Sequence, residues 1–336
     1  MRALVTGGGG FLGSSIVRML LQDGHQVRVL ARSQYPELKD LGVEMVRGDI
    51  TDLESVISAA KDCDSVFHVA AKAGIWGAFS EYYRINVEGT KNVYMACVAN
   101  GISRLVYTSS PSVVFDGRDM EGVNESVPYP KHYEAHYPYT KAIAEQFILQ
   151  KNATEGVFTC ALRPHLIWGE GDNHLIPRIL KRARNKQLRI VGNGKNLVDC
   201  VFVDNAARAH ILACEKLVLG SPVCGRAYFI ANDEPMPLFD WMNEFVVAAG
   251  LPRVKKKVPV ALAWTAGSII ESIYKSFGIQ SEPRMTRFLA AELGTAHWFD
   301  LSAAKRDFGY CPEVSNQKGF QRVFASEWWR ALRTEV

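Results

Sequence analysis

Short apolar runs alternate with longer amphipathic segments through the first half of the chain. The apolar runs predict six strands, at 3–6, 26–30, 44–47, 65–68, 104–108 and 158–163. Apolar positions repeated every three or four residues predict helices at 11–22, 52–61, 81–99 and 137–153. The strands are almost continuously apolar, as strands covered on both faces are. The alternation therefore predicts an α/β fold with a Rossmann-type, doubly wound parallel sheet.

The regular alternation weakens after Pro164. Beyond it the pattern predicts a helix at 174–185, strands at 188–191 and 199–203, a helix at 205–217 that returns to the main sheet, and a mixed region at 223–336. Two domains follow from this change in pattern. The main-sheet domain is predicted at 1–165 plus 196–222, and a smaller, mixed C-terminal domain at 166–195 plus 223–336.

The composition is ordinary for a globular enzyme, with 48% hydrophobic and 22% charged residues among 336. A net charge of +4, dispersed along the chain, gives no reason to expect a nucleic-acid partner. The cluster of Lys255, Lys256 and Lys257 is typical of a solvated face. The longest apolar stretch, 258–270, is shorter than the roughly 20 residues that span a bilayer. We expect a helix over the core or a cleft there, with at most a peripheral membrane contact.

The seven cysteines are scattered and show no C-x-x-C spacing, and the eight histidines show no H-x-x-x-H pair. This pattern predicts free thiols in a reducing cytoplasm and no metal site. The first apolar run is too short for a secretion signal and leads directly into a glycine-rich loop.

That glycine-rich loop follows the first strand and precedes the first helix, an order that suits a dinucleotide pyrophosphate. Gly7 allows the tight turn, Gly10 lets the backbone approach the phosphates, and Gly13 lets the helix pack closely on the strand. Unpaired amides at the helix start, including those of Phe11 and Leu12, face the phosphates. The main-sheet domain is thus predicted to bind NAD(P), and the smaller domain to bind a substrate.

The end of the second strand indicates which dinucleotide is used. NAD-binding folds place an acidic side chain there for the ribose 2′-hydroxyl, but this chain has Ala31. Arg32 and Ser33 follow and can bind a 2′-phosphate, which favours NADP(H) while NAD(H) remains possible. Arg32 as an ordinary exposed arginine is the alternative.

Further nucleotide contacts are predicted after the third and fourth strands. Asp49, followed by Ile50, is placed to accept a hydrogen bond from the adenine amino group. Ala70 and Ala71 would line the nucleotide with small side chains.

Tyr137 and Lys141 lie four residues apart, on one face of a predicted helix. An ammonium one turn away favours the phenolate, so we expect Lys141 to lower the pKa of Tyr137 and to hydrogen-bond a ribose hydroxyl. Ser110, at the carboxyl end of the fifth strand, is the predicted hydroxyl that holds the substrate oxygen. Ser109 would then face away, although strand ends do not alternate strictly.

Several motifs together resemble the extended short-chain dehydrogenase/reductases over essentially the whole chain. They are T-G-G-x-G-F-L-G at 6–13, G-D-I at 48–50, I-N-V-E-G-T at 85–90, Y-T-S-S at 107–110, Y-P-Y-T-K at 137–141 and L-R-P-x-x-I-x-G at 162–169. The segment V-F-V-D-N-A-A-R-A-H-I-L-A at 201–213 is similar to the 3β-hydroxysteroid dehydrogenase branch in particular.

The resemblance implies roles for individual residues. Tyr137, Lys141 and Ser110 would be catalytic, Asn86 would support a proton-relay water, and Pro164 would lie beside the nicotinamide. It also implies a homodimer formed through the helices at 81–99 and 137–153, and an assembly with enzymes of the same pathway.

Within this branch, the chain resembles two groups of lipid-metabolising members. R-S-x-Y-P-E-L at 32–38 and A-K-A-G-I-W-G at 71–77 are similar to bacterial reductases of long-chain 2-alkyl-3-oxoalkanoates in olefin biosynthesis. S-V-V-F-D-G at 112–117 is similar to dehydrogenases of 4α-carboxysterols and other 3β-hydroxysteroids. The cofactor position and the lack of a predicted membrane span favour the first group. A non-catalytic dinucleotide-binding module and a nucleotide-sugar epimerase or dehydratase are weaker alternatives.

Members of both groups would act on β-keto or β-hydroxy acids, so a cationic or donor-rich side chain should meet the substrate carboxylate. Four residues are candidates by position or resemblance: Lys72, Trp76, His165 and Arg287. The sequence does not choose among them, and His165 is also consistent with an interior histidine bonded to the backbone.

Overall fold

A computed structural model describes residues 1–335 of the chain. Its strands are β1 (Arg2–Thr6), β2 (Gln26–Ala31), β3 (Glu44–Arg47), β4 (Ser65–His68), β5 (Arg104–Thr108), β6 (Met120–Val123), β7 (Phe158–Pro164), β8 (Ile190–Val191), β9 (Leu197–Val198), β10 (Ala227–Ile230), β11 (Met236–Pro237), β12 (Lys257–Val258) and β13 (His297–Phe299). The six strands predicted in the first half of the chain are thus all present.

The helices are α1 (Phe11–Gln22), α2 (Pro36–Lys39), α3 (Leu53–Ala60), α4 (Phe79–Tyr82), α5 (Gly89–Ala99), α6 (His136–Gln150), α7 (Leu175–Arg184), α8 (Val203–Glu215), α9 (Leu238–Ala248), α10 (Val260–Ser276), α11 (Arg287–Gly294), α12 (Ser302–Phe308), α13 (Asn316–Ala325) and α14 (Glu327–Glu335). A π-helical turn occupies Tyr83–Glu88, and 3₁₀ turns occupy Pro111–Val114 and Thr154–Gly156.

The main sheet has seven parallel strands in the order β10-β7-β5-β4-β1-β2-β3. Connections leave β1 toward one edge and β4 toward the other, so the direction of winding reverses between these two strands. Ligands of open α/β sheets bind at such a reversal, beyond the carboxyl ends of the strands. The predicted Rossmann-type fold is confirmed.

Alternate residues of β1 enter different apolar cores, because successive side chains of a strand point to opposite faces. Ala3 and Val5 pack on the side of α1, which α8 covers, whereas Leu4 packs on the side of α3 and α5. Both faces of the sheet are therefore buried under helices, as its continuous apolar strands predict. The predicted return of the helix near 205–217 to the main sheet is confirmed by α8.

A second sheet, in the order β11-β9-β13-β6, joins strands from both predicted domains, since β6 and β9 fall within the ranges 1–165 and 196–222 predicted for the main-sheet domain. It brings His297 of β13 opposite Met120 of β6. The predicted boundaries also placed 227–230 in the C-terminal domain, but β10 pairs in parallel with β7 at the edge of the main sheet. A four-residue strand carries no signal for its pairing partner, so this detail is decided by packing.

Two predicted elements differ in the structure. The helix predicted at 81–99 is divided into α4, the π-helical turn and α5, which places the polar Asn86 inside the protein. The strand predicted at 199–203 is wrong, since only Leu197–Val198 pairs and Phe202 forms a single bridge with Trp168. The buried Asp199 instead accepts backbone amides of Asn232 and Glu234, so the chain follows a loop there.

The apolar stretch at 258–270 forms most of α10. Its Glu271 side is buried, while Leu262, Ile269 and Phe277 at its end are exposed. Within residues 1–335, no helix is long and apolar enough to cross a membrane.

Candidate active site

A cleft of about 500 Å³ lies along the carboxyl ends of the main-sheet strands. Most residues predicted to bind the dinucleotide line it: Gly7, Gly10, Phe11, Leu12, Gly13, Arg32, Asp49, Ile50, Ala70, Ala71, Lys141 and Pro164. Ser33 is not among the lining residues, because the chain bends at Arg32 and Ser33. Tyr35, which the sequence analysis missed, takes part instead, and its ring lies against Gly9.

The shape of the glycine loop fits the pyrophosphate of a dinucleotide. Gly7 has a φ of +70°, and a Cβ there would stand 2.8 Å from the Ala70 nitrogen. A Cβ on Gly13 would stand 2.2 Å from the Gly7 carbonyl oxygen, so only glycine allows α1 to begin so close to the strand. Gly10 caps α1 without a side chain, which leaves the first amides of the helix available to an anion.

A buried hydrogen-bond chain holds the loops of this cleft in place. Thr6 Oγ1 lies 2.7 Å from His68 Nδ1, and His68 Nε2 lies 2.9 Å from Thr90 Oγ1. The Ala70 amide donates to Thr6 Oγ1 at 3.3 Å. Burial, helped by the nearby Lys141 ammonium, lowers the pKa of His68 to about 3, so His68 is a neutral structural link.

Tyr137 and Lys141 lie on α6, one turn apart, at the point where this cleft meets a second cavity. Lys141 Nζ donates to the Thr108 carbonyl oxygen at 2.5 Å and lies 4.1 Å from the centre of the Tyr107 ring. Burial lowers the pKa of Lys141 to about 7, against the opposing charge of Glu145. The lysine is thus held in position by the carboxyl end of β5.

The expected lowering of the Tyr137 pKa is not found. Burial raises the pKa of Tyr137 above its usual value; a hydrogen bond with Ser110 lowers it, and the charge of Glu292 raises it. The ammonium of Lys141 is directed to the Thr108 carbonyl instead. Tyr137 is therefore a neutral phenol at physiological pH, which is the protonation state of a proton donor.

The two serines at the end of β5 have different surroundings. Ser110 lines both cavities, caps the 3₁₀ turn Pro111–Val114 and lies with its Oγ 2.9 Å from Ser112 Oγ. Ser109 lines only the dinucleotide cleft, and its buried hydroxyl has no hydrogen-bond partner within residues 1–335. This arrangement places Ser110 beside Tyr137, as the sequence predicted.

Asn86 uses its side-chain amide to join two segments. Its Oδ1 accepts the Lys72 amide at 2.7 Å, and its Nδ2 donates to the Lys72 carbonyl and to Thr140 Oγ1, each at 3.1 Å. Asn86 thereby links the loop after β4 to α6, next to Lys141.

The second cavity, of about 480 Å³, has mainly apolar walls that include Phe115, Met120, Phe288 and Phe299. Of the four residues predicted to bind the substrate, only His165 lines it. Its Nδ1 lies 2.8 Å from the Asp199 carbonyl oxygen, and burial lowers its pKa to about 4.

The other three predicted substrate residues lie elsewhere. Lys72 Nζ pairs with Glu81 at 3.0 Å, and Arg287 Nη2 pairs with the buried Glu271 at 3.0 Å. Trp76 lines a separate cavity of about 270 Å³ and donates from Nε1 to the Ile279 carbonyl at 2.9 Å. Both cations are neutralised by acidic partners, Lys72 by Glu81 of the nearby α4 and Arg287 by Glu271 of α10.

Comparison with known proteins identifies this arrangement. The family model of the 3-beta hydroxysteroid dehydrogenase/isomerase family matches residues 4–260. The chain belongs to this family. A solved structure, the crystal structure of gox2253, aligns over 98% of this chain and 98% of its own, with a TM-score of 0.80 and 27% identity.

Two relatives are similar to this family member over nearly its whole length. The 2-alkyl-3-oxoalkanoate reductase of Stenotrophomonas maltophilia (strain K279a) is 48% identical over 97% of this chain and 99% of its own. The human sterol-4-alpha-carboxylate 3-dehydrogenase, decarboxylating, is 34% identical over 99% of this chain and 89% of its own. The chain is therefore an oxidoreductase that uses a nicotinamide dinucleotide.

The structure adds polar residues to the family site that no motif indicated. Glu292, His297, His174 and Arg178 all line the second cavity. Glu292 and His297 come from α11 and β13, far along the chain from the tyrosine–lysine pair. Isolated acidic and histidine residues in short elements carry no sequence signal, so only the fold reveals them.

Proposed function

We propose that this enzyme reduces a long-chain 2-alkyl-3-oxoalkanoate to the corresponding 2-alkyl-3-hydroxyalkanoate, with NADPH as the reductant. The observation that carries the proposal is that Tyr137 and Ser110 line both the dinucleotide cleft and the adjoining apolar cavity. An apolar cavity of this size suits alkyl chains. The 48% identity with the reductase named above supports the same substrate class.

The chain's own residues have separate tasks in this reaction. A bound nicotinamide dinucleotide would supply the hydride, and Pro164 lines the cleft beside its proposed position. Tyr137 donates a proton to the developing alkoxide, and Ser110 orients that oxygen. Lys141 holds the nicotinamide ribose. Asn86 stabilises this geometry, because its side chain is hydrogen-bonded both to α6 and to the loop at Lys72.

The two parts of the fold share the work. The main-sheet domain holds the dinucleotide, and both domains supply apolar wall for the alkyl chains, with Phe115 and Met120 from the first and Phe288 and Phe299 from the second. The site lies between them, since Ser110 and Phe288 line one cavity.

The preference for NADP(H) rests on the end of β2. Arg32 lines the cleft, its side chain is exposed, and Ala31 beside it brings no acidic group that would repel a phosphate. A guanidinium binds a 2′-phosphate through paired, charge-assisted hydrogen bonds.

The direct test compares substrates in the oxidative direction, because β-keto acids decarboxylate readily. A long-chain 2-alkyl-3-hydroxy acid and a 3β-hydroxysteroid are each incubated with NADP and with NAD. We expect turnover with the hydroxy acid, and at least about tenfold higher kcat/KM with NADP, equivalent to about 1.4 kcal/mol. Turnover of the steroid alone would assign the enzyme to 3β-hydroxysteroid or 4α-carboxysterol oxidation, and higher kcat/KM with NAD would contradict the role of Arg32.

A homodimer is proposed through α5 and α6 with the segment before them. Phe79, Met95 and Tyr139 are large apolar or aromatic residues on these helices, yet they are exposed in the single chain. Phe79 and Tyr139 stack at 5.9 Å and form a continuous aromatic surface. Exposed apolar patches of this kind mark subunit interfaces.

Sedimentation equilibrium tests the dimer. The protein should give twice its chain mass of 37.4 kDa, and Met95→Glu should give the mass of one chain because a charge would be buried in the interface. Val247→Glu, at an exposed apolar residue on α9, is the matched control and should remain dimeric. A single-chain mass for the unaltered protein would reject the interface.

A cytoplasmic location is also proposed. All seven cysteines are free thiols and five of them are buried, which suits a reducing compartment. Recovery of the protein from an oxidising compartment during cell fractionation would contradict this location.

A further inference from the structure

The proposed substrate carries a carboxylate, yet the cavity beside Tyr137 and Ser110 offers it no free side-chain cation within the described residues. Arg178 lines the cavity, but its guanidinium already pairs with Glu282 at 3.1 Å, and Glu282 lines the same cavity. Lys72 and Arg287 lie elsewhere and pair with Glu81 and Glu271. Another group must therefore meet the carboxylate.

Two of the three histidines that line the cavity, His165 and His297, do not supply a positive charge; the third, His174, is exposed at the start of α7. His165 Nδ1 carries the proton, because its partner at 2.8 Å is the Asp199 carbonyl oxygen, which only accepts. His165 Nε2 therefore carries no proton and presents a lone pair. Burial lowers the pKa of His165 to about 4, so the ring is neutral.

The same reasoning fixes the tautomer of His297. Thr295 Oγ1 donates to the Ala291 carbonyl at 2.8 Å, so it accepts from His297 Nε2, also at 2.8 Å. His297 Nδ1 therefore carries no proton and presents a lone pair, and it lies 3.8 Å from Glu292 Oε2. Burial, with the neighbouring His165, lowers the pKa of His297 to about 3.

Glu292 and His174 are the remaining candidates, and Glu292 is the one whose charge acts on Tyr137. It extends from α11 into the cavity, and its side chain is 22% exposed. Burial raises the pKa of Glu292 to about 7, so a proton is available to it at physiological pH. A protonated carboxyl group is a hydrogen-bond donor.

We propose that Glu292 recognises the substrate carboxylate as a neutral acid, donating its proton in a hydrogen bond, so that substrate binding takes up one proton from solvent. This inference rests on the proposed function, which supplies the carboxylate. Two carboxylates in contact cannot both remain ionised at low cost, so the pair shares one proton. Glu292 is thus a specificity-determining residue that distinguishes β-keto acids from uncharged ketones.

The titratable and charged groups that line the cavity with Glu292 are consistent with this role. They are Tyr137 from α6, His297 from β13, His165 after β7, His174 and Arg178 from the start of α7, and Glu282 from the loop before α11. The neutral His165 and His297 present lone pairs that repel an anion, and Glu282 is paired with Arg178. Glu292 is consequently the lining carboxyl group whose protonation a bound anion would favour.

The proposal makes a measurable prediction for binding. NADPH and a 2-alkyl-3-hydroxy acid form a complex in which no hydride can be transferred, so binding is measured by calorimetry without turnover. In buffers of different ionisation enthalpy, we expect uptake of about 0.5 proton at pH 7 and nearly one at pH 8. The methyl ester of the same acid should take up none. Affinity for the acid should fall about tenfold per pH unit above pH 7.

Variants assign the proton to Glu292 rather than to Lys141, the other nearby group with a pKa of about 7. Glu292→Gln keeps a donor, so we expect affinity within a few-fold at pH 7, no proton uptake and no weakening at pH 8. Glu292→Ala removes the donor and should weaken binding at least about tenfold. His174→Gln is the matched control in the same cavity and should retain proton uptake.

The outcomes separate the two proposals. If the hydroxy acid is turned over with NADP but binds without proton uptake, or if Glu292→Gln takes up protons like the unaltered enzyme, the role of Glu292 is overturned while the proposed function stands. If the hydroxy acid is not turned over at all, the proposed function itself fails. Thermal unfolding and NADPH binding confirm beforehand that each variant is folded.

Discussion

Tyr137→Phe should lower kcat about 10³-fold and leave NADPH affinity within a few-fold. The substitution removes only the hydroxyl, which lies where the dinucleotide cleft meets the apolar cavity. A positioned general acid contributes roughly 10²–10⁴ in rate. The raised pKa of Tyr137 keeps that proton on the phenol at physiological pH, so its loss cannot be replaced by the neighbouring lysine, which is directed to the Thr108 carbonyl.

Steady-state kinetics and NADPH fluorescence titration measure the two quantities separately. Tyr133→Phe is the matched control, since the Tyr133 hydroxyl donates to the Val113 carbonyl and Tyr133 is not among the residues that line the substrate cavity. It should retain turnover within a few-fold. Full turnover by Tyr137→Phe would remove Tyr137 from the mechanism.

Glu145→Ala should lower the free energy of unfolding by about 3–5 kcal/mol. Glu145 and Arg163 have side chains that are 0% and 3% exposed, and they are joined by bonds of 2.6 Å (Nη2 to Oε1) and 3.0 Å (Nε to Oε2). Tyr129 also donates to Glu145 Oε1 at 2.6 Å. Without the carboxylate, the Arg163 guanidinium would remain charged and buried without a partner, which is the costly state.

Urea unfolding followed by circular dichroism measures the change. The control is Lys91→Ala, which breaks an exposed pair with Glu88 at 2.9 Å and should cost less than about 1 kcal/mol. A double variant, Glu145→Ala with Arg163→Met, removes both charges and should recover part of the loss. A loss below about 1 kcal/mol for Glu145→Ala would show that water reaches this pair.

Local patterns explain why much of the fold was predictable. The six strands of the first half and helix α1 follow from apolar periodicity, which acts over a few neighbouring residues. The glycine loop is a local motif as well, since Gly13 meets the Gly7 carbonyl, whereas Gly7 itself meets Ala70 after the adjacent strand β4. Tyr137 and Lys141 are four residues apart, so the prediction of a helix was enough to place them on one face.

Several of the predictions that failed concern contacts between segments that are separated along the chain. Arg287 was a reasonable carboxylate-binding candidate until α10 brought Glu271 against it. The pKa of Tyr137 depends on burial and on Glu292, neither of which its own helix contains. Strand β10 joins the main sheet through pairing with β7, a choice that four apolar residues do not encode.

The sequence by itself therefore determined the Rossmann-type sheet, the dinucleotide loop and the tyrosine–lysine pair, because a pattern of residues close together along the chain predicts each of them. The tertiary structure alone decided the protonation of the site and the groups that face the substrate. His165 follows β7 and His297 belongs to β13, yet their rings stand 5.7 Å apart and line the same cavity as Glu292. Burial and partners of this kind set the charge of a group, and only folding brings them together.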